Sequence, residues 1–142
     1  MAVGIRKAQT PDIEAVLGVW TASGAHATPT DTVAEVRRLM RQQPGGVLIA
    51  EVEGQVVGTM ICAWDGWRGN IYRLAVVPEH RRHGIARKLV EESAQRFRGM
   101  GVRRASLFVV SADQQALDFW NSLHDLGLKS DPLPKTRYVW NL

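Results

Sequence analysis

A strand that ends at a proline, followed by a short basic turn and an amphipathic helix, is the feature that most limits how this chain can fold. The stretch reads VVPEHRRHGIA over residues 76–86. The first N–H groups of a helix have no partner within it, and the helix dipole adds partial positive charge there. Gly84 also lets a ligand approach the backbone closely. The sequence therefore predicts an anion-binding turn that suits a pyrophosphate.

The same turn excludes two nucleotide-binding classes and a metal site. The pattern G-x-x-x-x-G-K-[ST] needs a second glycine and a Lys-Ser or Lys-Thr pair, and G-x-G-x-x-G needs three glycines, whereas this turn has one. His80 and His83 have no acidic or cysteine companions at ligand spacing, so no metal is predicted.

Apolar periodicity predicts an α/β fold with a mixed sheet. Thr10 with Pro11 signals one helix start, and Thr32 with Glu35 has the spacing of a capping box. Residues 47–52, 56–64 and 71–77 read as three consecutive antiparallel strands. The other predicted elements are strands at residues 3–7, 105–110 and 136–141 and helices at residues 85–97 and 116–123.

Composition fits a globular protein of one domain spanning residues 1–142, with 45% hydrophobic and 23% charged residues. The single cysteine, Cys62, excludes an internal disulfide and lies in an apolar run that predicts a buried strand. No secretory signal and no run of ~20 apolar residues is visible, so we expect a cytoplasmic protein with no membrane partner. The net charge is +4, and six basic residues between Arg81 and Arg98 favour a phosphate-bearing ligand.

The basic turn resembles the acetyl-coenzyme A signature of the Gcn5-related N-acetyltransferase (GNAT) family, R/Q-x-x-G-x-G/A after a strand. Arg81-x-x-Gly84-x-Ala86 matches it, and the opening strand and helix at residues 5–20 are similar to those of the family. The segment at residues 65–69 resembles a D-G-x-R-G turn of small stand-alone bacterial members of unassigned substrate. The resemblance covers nearly the whole chain. It implies a single N-acetyltransferase domain whose mixed, mostly antiparallel central sheet is flanked by helices.

The resemblance also implies a co-substrate site for acetyl-coenzyme A. Its pyrophosphate would lie on the amides of residues 82–87, and its pantetheine arm would lie beside residues 74–76. The backbone N–H near Val76 would polarise the thioester carbonyl, and a primary amine would attack it directly in a ternary complex. The residues implied to bind the co-substrate are Leu74, Ala75, Val76, Arg81, Arg82, His83, Gly84, Ile85, Ala86, Arg87, Asp113 and Trp120.

Proton transfer is where this sequence departs from the family pattern. The family motif commonly has an asparagine and a tyrosine after the fifth strand, and here those positions hold Asp113 and Trp120. An indole cannot act as the general acid, so Trp120 is predicted to be a wall of the site. Positions that hold a glutamate base in relatives have Asn70 and Phe108. Both proton-transfer roles are thus left to water or to other side chains.

Two side chains are candidates for handling the acceptor amine. Asp65 is either a turn former with Gly66 or a carboxylate at the mouth of the acceptor site. Tyr72 either packs in the core, which its place in a strand favours, or points into the cleft. Among the tryptophans near the motif, only Trp67 is predicted to be exposed.

Three functions fit these observations to different degrees. The leading one is an enzyme that acetylates a primary amine of a small molecule, a protein N-terminus or a lysine. The alternative is a catalytically silent acyl-coenzyme A-binding module, which the missing tyrosine and glutamate motivate. A nucleic-acid binder has only the basic cluster in its favour. The apolar segment Tyr138-Val139-Trp140 allows strand pairing between two chains, and hence a homodimer.

Overall fold

The computed structural model describes all 142 residues and divides them into two compact units, Met1–Leu107 and Phe108–Leu142. The first unit holds a five-stranded sheet in the order β1-β2-β3-β4-β5. Three neighbouring pairs are antiparallel, and only β4 and β5 are parallel. This arrangement confirms the predicted α/β class. The strands are β1 Gly4–Lys7, β2 Val47–Val52, β3 Gln55–Trp64, β4 Gly69–Val76 and β5 Ala105–Ser106.

Three helices of the first unit are α1 Ile13–Ala22, α2 Val33–Gln42 and α3 Ile85–Gly99. The capping prediction for α2 is confirmed, because the Thr32 hydroxyl accepts a hydrogen bond from the Glu35 amide at 3.2 Å. The prediction that Thr10 caps the first helix is wrong. Residues 10–12 form a 3-10 turn, in which the Asp12 carboxylate accepts the Gln9 amide at 2.7 Å. None of the helices is both long and apolar enough to cross a membrane.

The core of this unit packs helices on both faces of the sheet. One cluster joins α1 and α2 to β2 and β3 through Ile13, Val16, Trp20, Val36, Val47, Ile49 and Ile61, among others. On the other face, Ile85 and Leu89 of α3 lie so close to β3 that a Cβ on Gly58 would stand 3.2–3.3 Å from them. Cys62 is buried in β3 as predicted, and burial raises the pKa of its thiol.

Strand β4 is interrupted by a bulge at its centre. Its pairing with β3 shifts by one residue between Tyr72, which is opposite Ile61, and Ala75, which is opposite Thr59. Between them Arg73 has a φ of 52°, in the left-handed region that non-glycine residues seldom adopt. A bulge of this kind bends a strand and redirects its side chains. Here it divides β4 into a first half next to β5 and a second half that leads to the basic turn.

The prediction of a buried strand over residues 105–110 is largely wrong. Only Ala105 and Ser106 pair with β4, and Phe108 and Val110 are exposed. Strand propensity is not enough to form a strand, because a strand exists only where a partner supplies its hydrogen bonds.

The second unit contains helix α4, Gln114–Asn121, and a 3-10 turn at His124–Leu126. Helix α4 begins and ends two residues before the predicted helix. The predicted strand at residues 136–141 is absent: Tyr138 and Trp140 are 92% and 84% exposed and belong to no sheet. Pairing of this segment between two chains stays a prediction.

Candidate active site

The N-terminus of α3 is open to a ligand. Gly84 is its N-cap residue, with φ 76° and ψ 10°, and no side chain caps the helix there. A Cβ built on Gly84 would meet no atom within 4 Å apart from its chain neighbours, so the space beside the Gly84 Cα is open. The amides of Ile85 and Ala86 are among the first helical N–H groups, which lack intrahelical acceptors. The uncapped helix start that the prediction requires is therefore present, and anion binding at this turn stays a prediction.

The basic side chains of the turn divide into two kinds. Arg82, with a φ of 65°, and His83 are exposed beside Gly84. Arg81 instead donates its Nε to the carbonyl oxygen of Val76 at 3.1 Å, which ties the turn to the end of β4. Arg87 donates its Nε to Glu91 at 2.8 Å, one turn further along α3. Arg81 thus supports the shape of the turn, whereas Arg82 presents its charge to solvent beside the exposed His83 ring.

The outer edge of β4 is unpaired after its first two residues. Only Gly69 and Asn70 have partners in β5, so the edge from Ile71 to Val76 faces no neighbouring strand. An unpaired edge presents backbone N–H and C=O groups that can bind an extended ligand as an added strand would. Leu74, Ala75 and Val76 lie on this edge and lead directly towards the turn before α3. The structure therefore brings together the strand and the anion-binding turn that the motif indicated.

Tyr72 lies on β4 just before the bulge and is 48% exposed. The interpretation as a core residue is wrong. Its pairing with Ile61 places it on the sheet face that carries α1, because directly opposed residues share a face. Val76 lies four steps further along the strand, a span of about 13 Å. The Tyr72 phenol directly precedes the bulge at Arg73.

Asp65 does not join this group. It lies in the β3–β4 turn, and its Oδ1 accepts hydrogen bonds from the amides of Trp67 and Arg68 at 2.9 and 2.7 Å. The Arg68 and Trp67 amides, in that order, hold the pKa of this exposed carboxyl below its usual range. The length of β4, about 23 Å for seven extended steps, separates the turn from the end of the strand. The geometry supports the turn-forming interpretation and gives no support to Asp65 as a base.

Sequence reasoning missed Arg73, the bulge residue. Its guanidinium forms a salt bridge with Asp31 and donates to the carbonyl oxygen of His26 at 3.1 Å. The only signal in the sequence was a charged residue within an otherwise apolar strand, which by itself does not distinguish an edge position from a buried ion pair.

The remaining predicted positions lie in different parts of the chain. Asn70 is on β4 opposite Ala63, and Phe108 is exposed. In the second unit, the Asp113 carboxylate accepts the Ala116 amide at 3.0 Å and so caps α4. Trp120 lies in α4 with its ring 5.2 Å from that of Phe119, edge to face. Contact of Asp113 or Trp120 with a co-substrate stays a prediction.

Comparison with known proteins identifies relatives of this chain by sequence. An acetyltransferase of Photorhabdus laumondii is 33% identical over 105 residues, which is 74% of this chain and 73% of that protein. An acetyltransferase of Pectobacterium atrosepticum is 29% identical over 119 residues, 84% of each chain.

Solved structures with the same fold extend the comparison. The Ard1 protein of Thermoplasma volcanium superposes with a TM-score of 0.78 at 24% identity, over 86% of this chain and 81% of that one. The paiA N-acetyltransferase of Thermoplasma acidophilum, solved in complex with coenzyme A, gives a TM-score of 0.76 at 17% identity, over 86% and 88%. The model of the acetyltransferase (GNAT) family matches residues 13–124. This chain therefore belongs to the GNAT family of acetyltransferases.

Proposed function

We propose that this acetyltransferase binds acetyl-coenzyme A along β4 and the α3 N-terminus and transfers the acetyl group to a primary amine by direct attack in a ternary complex. The observation that carries the proposal is the union of an unpaired β4 edge with an uncapped helix start at Gly84. We also propose that residues 1–142 act as one domain, because the family match at residues 13–124 includes parts of both compact units.

The residues of the turn fit a diphosphate-bearing co-substrate. The amides of Ile85 and Ala86 would donate to phosphate oxygens, and the helix dipole would favour their charge. The exposed guanidinium of Arg82 adds positive potential at the same place, beside the exposed His83 ring. The open space around Gly84 leaves room for the phosphates. The coenzyme A complex of the paiA N-acetyltransferase, which shares this fold, supports the assignment.

Backbone groups of β4 would orient the thioester. An extended pantetheine arm beside Leu74, Ala75 and Val76 would exchange hydrogen bonds with the unpaired edge. A strand N–H near Val76 would then donate to the carbonyl oxygen as negative charge develops on it, a contribution of roughly 3 to 4 kcal/mol for a single donor in other enzymes. Val76 is buried, so this donor acts where water screens little.

The transfer balances without a covalent enzyme intermediate. The neutral amine nitrogen forms a bond to the carbonyl carbon, the C–S bond breaks, and coenzyme A leaves as a thiolate. The amine gives its extra proton to solvent before attack and a second proton after it. Because a free thiol has a pKa of about 8.5, the thiolate is a fairly good leaving group without a dedicated acid. Of the two candidates, Asp65 and Tyr72, only Tyr72 lies beside the bulge. We propose that the Tyr72 phenol helps to deprotonate the acceptor amine through a water molecule.

A steady-state experiment tests the proposal. Thiol release from acetyl-coenzyme A would be followed with a panel of amines: peptides with free N-termini, an Nα-blocked lysine peptide and a polyamine. Mass spectrometry would confirm the acetylated amine, and reactions without an amine would measure hydrolysis. We expect release that depends on the amine, with double-reciprocal lines that intersect. Parallel lines with an acetylated protein would contradict direct attack, and coenzyme A binding without release would favour the silent binding module.

A further inference from the structure

The bulge of β4 is fastened to a distant segment of the chain. Arg73, at the bulge, donates its Nε to Oδ1 of Asp31 at 3.2 Å and its Nη2 to Oδ2 of the same carboxylate. The same Nη2 donates to the carbonyl oxygen of His26 at 3.1 Å. These contacts join β4 to the α1–α2 loop, residues 23–32. A guanidinium that binds both oxygens of a carboxylate fixes orientation as well as distance.

Both ends of this ion pair are themselves held in place. On the loop side, Oδ2 of Asp31 also accepts the Thr28 amide at 2.7 Å, so the carboxylate closes the loop's own turn. On the strand side, the Arg73 carbonyl accepts the Thr59 hydroxyl at 3.0 Å, and that hydroxyl accepts the Trp20 indole N–H at 2.9 Å. The guanidinium lies 5.3 Å from the centre of the Trp20 ring.

Burial distinguishes this pair from an ordinary surface ion pair. The side chains of Arg73 and Asp31 are only 23% and 11% exposed. Partly buried charges are screened less than exposed ones, and removal of one partner leaves the other without compensation. The left-handed φ of Arg73 is costly for a residue with a Cβ, and such a conformation persists only where surrounding contacts fix it. The bulge, the ion pair and the loop therefore form one unit, here called the Arg73 clamp.

The position of the clamp suggests its role. Arg73 lies between Tyr72 and Leu74, near the middle of the unpaired edge of β4. The Arg73 side chain extends from that edge and contacts the loop at the His26 carbonyl and the Asp31 carboxylate. In the proposed function the thioester lies on β4 just past the bulge, so the loop that Arg73 holds would border the space from which the amine attacks. We propose that Arg73 is a positioning residue that holds the α1–α2 loop as a wall of the acceptor pocket, a role that rests on the function proposed above.

A matched pair of variants isolates the clamp. Asp31→Asn removes the charge and keeps an oxygen for the Thr28 amide. Asp12→Asn is the control: Asp12 also binds an arginine through both oxygens, Arg6 at 2.8 and 3.0 Å, and also accepts a backbone amide at 2.7 Å. Arg6 and Asp12 lie at β1 and the turn after it, on the opposite side of the sheet order from β4. Arg73→Lys adds a third variant that keeps the charge and loses the two-point contact.

Three measurements read the outcome: hydrogen exchange of residues 23–32, the Kd for coenzyme A by titration calorimetry, and KM against kcat for the best amine of the panel. For Asp31→Asn we expect exchange in the loop faster by about tenfold, a KM for the amine higher by about tenfold and a kcat within about threefold of the parent. The Kd for coenzyme A should stay within about twofold. Arg73→Lys should fall between the parent and Asp31→Asn, and Asp12→Asn should change neither loop exchange nor KM.

Each contrary result has a distinct meaning. Unchanged loop exchange in Asp31→Asn would show that the ion pair does not hold the loop. Faster exchange with an unchanged KM would show that the loop is no part of the acceptor pocket, and lost coenzyme A binding would assign Arg73 to the co-substrate strand. Each of these overturns the clamp alone. A parent protein that binds coenzyme A and acetylates no amine would refute the proposed function, and the acceptor role of the clamp with it.

Discussion

Both ends of β4 carry exposed arginines, but the two ends differ in the hydrogen-bonding groups that their backbone leaves free. At its start, Arg68 lies 4.0 Å over the exposed ring of Trp67, and Arg103 and Arg104 line the same cavity of about 380 Å³. At its end, Arg82 and His83 are exposed before α3. In the turn before β4, the Asp65 carboxylate already accepts hydrogen bonds from the amides of Trp67 and Arg68. In the turn after β4, Gly84 is the N-cap residue of α3, and because it has no side chain the first helical amides stay free for a ligand. Arginine charge is therefore common to both ends, and free amides distinguish the turn that we propose binds the co-substrate.

The largest expected effect comes from placing an aspartate at each end. Gly84→Asp puts a carboxylate where the phosphates would lie, and should raise the Kd for acetyl-coenzyme A by about a hundredfold and remove most of its thermal stabilisation, which is about 2.7 kcal/mol at a hundred times Kd. Gly66→Asp is the matched control, because Gly66 also has a positive φ, 95° against 76°, and open space around it. Thermal shifts with and without acetyl-coenzyme A measure both variants.

The control separates backbone strain from loss of the site. Both variants pay a similar conformational penalty for a left-handed residue with a Cβ. If Gly66→Asp lost ligand stabilisation as fully as Gly84→Asp, or if a folded Gly84→Asp kept it, the distinction between the two ends of β4 would be wrong.

The next effect is the pH dependence of transfer. A lysine-type amine with a pKa of about 10.4 is almost wholly protonated at neutral pH, so without a strong base on the enzyme kcat/KM for the amine should rise about tenfold per pH unit. The rise should end where the amine titrates. Initial rates between pH 6 and 9 at saturating acetyl-coenzyme A check this. A flat profile would reveal a base that already acts at low pH.

A smaller effect is expected for Arg81→Ala. Its Nε contact with the Val76 carbonyl steadies the turn, whereas the helix amides and dipole remain after truncation. The Kd for acetyl-coenzyme A should rise by about three- to tenfold, far less than in Gly84→Asp. Titration calorimetry of both variants decides the order, and an Arg81→Ala loss equal to that of Gly84→Asp would mean that the side chain, not the backbone, carries binding.

The smallest effect on catalysis is expected for Asp65→Asn. The amide oxygen of asparagine can accept from the same two N–H groups, so turnover should stay within about twofold. A loss of tenfold or more, with unchanged binding of acetyl-coenzyme A, would restore Asp65 as a functional group.

The same variant also tests the lowered pKa of Asp65. Because the folded-state pKa lies below the unfolded value of about 3.9, the carboxylate's contribution to stability is complete above that value and is lost as pH falls through the folded pKa. Urea midpoints at pH 7 and pH 3 should therefore differ slightly less in Asp65→Asn than in the parent. An identical difference in both proteins would mean that the turn's hydrogen bonds do not depend on the charge.

Prediction from sequence succeeded for two helix starts with a local signal, although the Thr10 cap, also a local signal, was wrong. The start of α3 at Gly84 follows from a glycine between a basic turn and an apolar periodic segment, and the Thr32 cap follows from a hydroxyl three residues before a glutamate. Prediction failed for segments that become strands only if a neighbouring strand pairs with them. Residues 105–110 and 136–141 have strand-like composition, yet only Ala105 and Ser106 are in a ladder. Tyr72 was misjudged for a related reason, since the alternation of buried and exposed residues is broken by a bulge.

What the sequence by itself determined is the family and the glycine turn at which α3 begins, because both depend on residues close together in the chain and on backbone geometry that glycine and proline set locally. Only the tertiary structure decided which charges act together. It paired Arg73 with Asp31 across 42 positions of the chain and placed Asp65 at the opposite end of β4 from the basic turn. Such pairings depend on strand register and on the bulge of β4, and register comes from the summed packing of the whole sheet, which no short motif encodes.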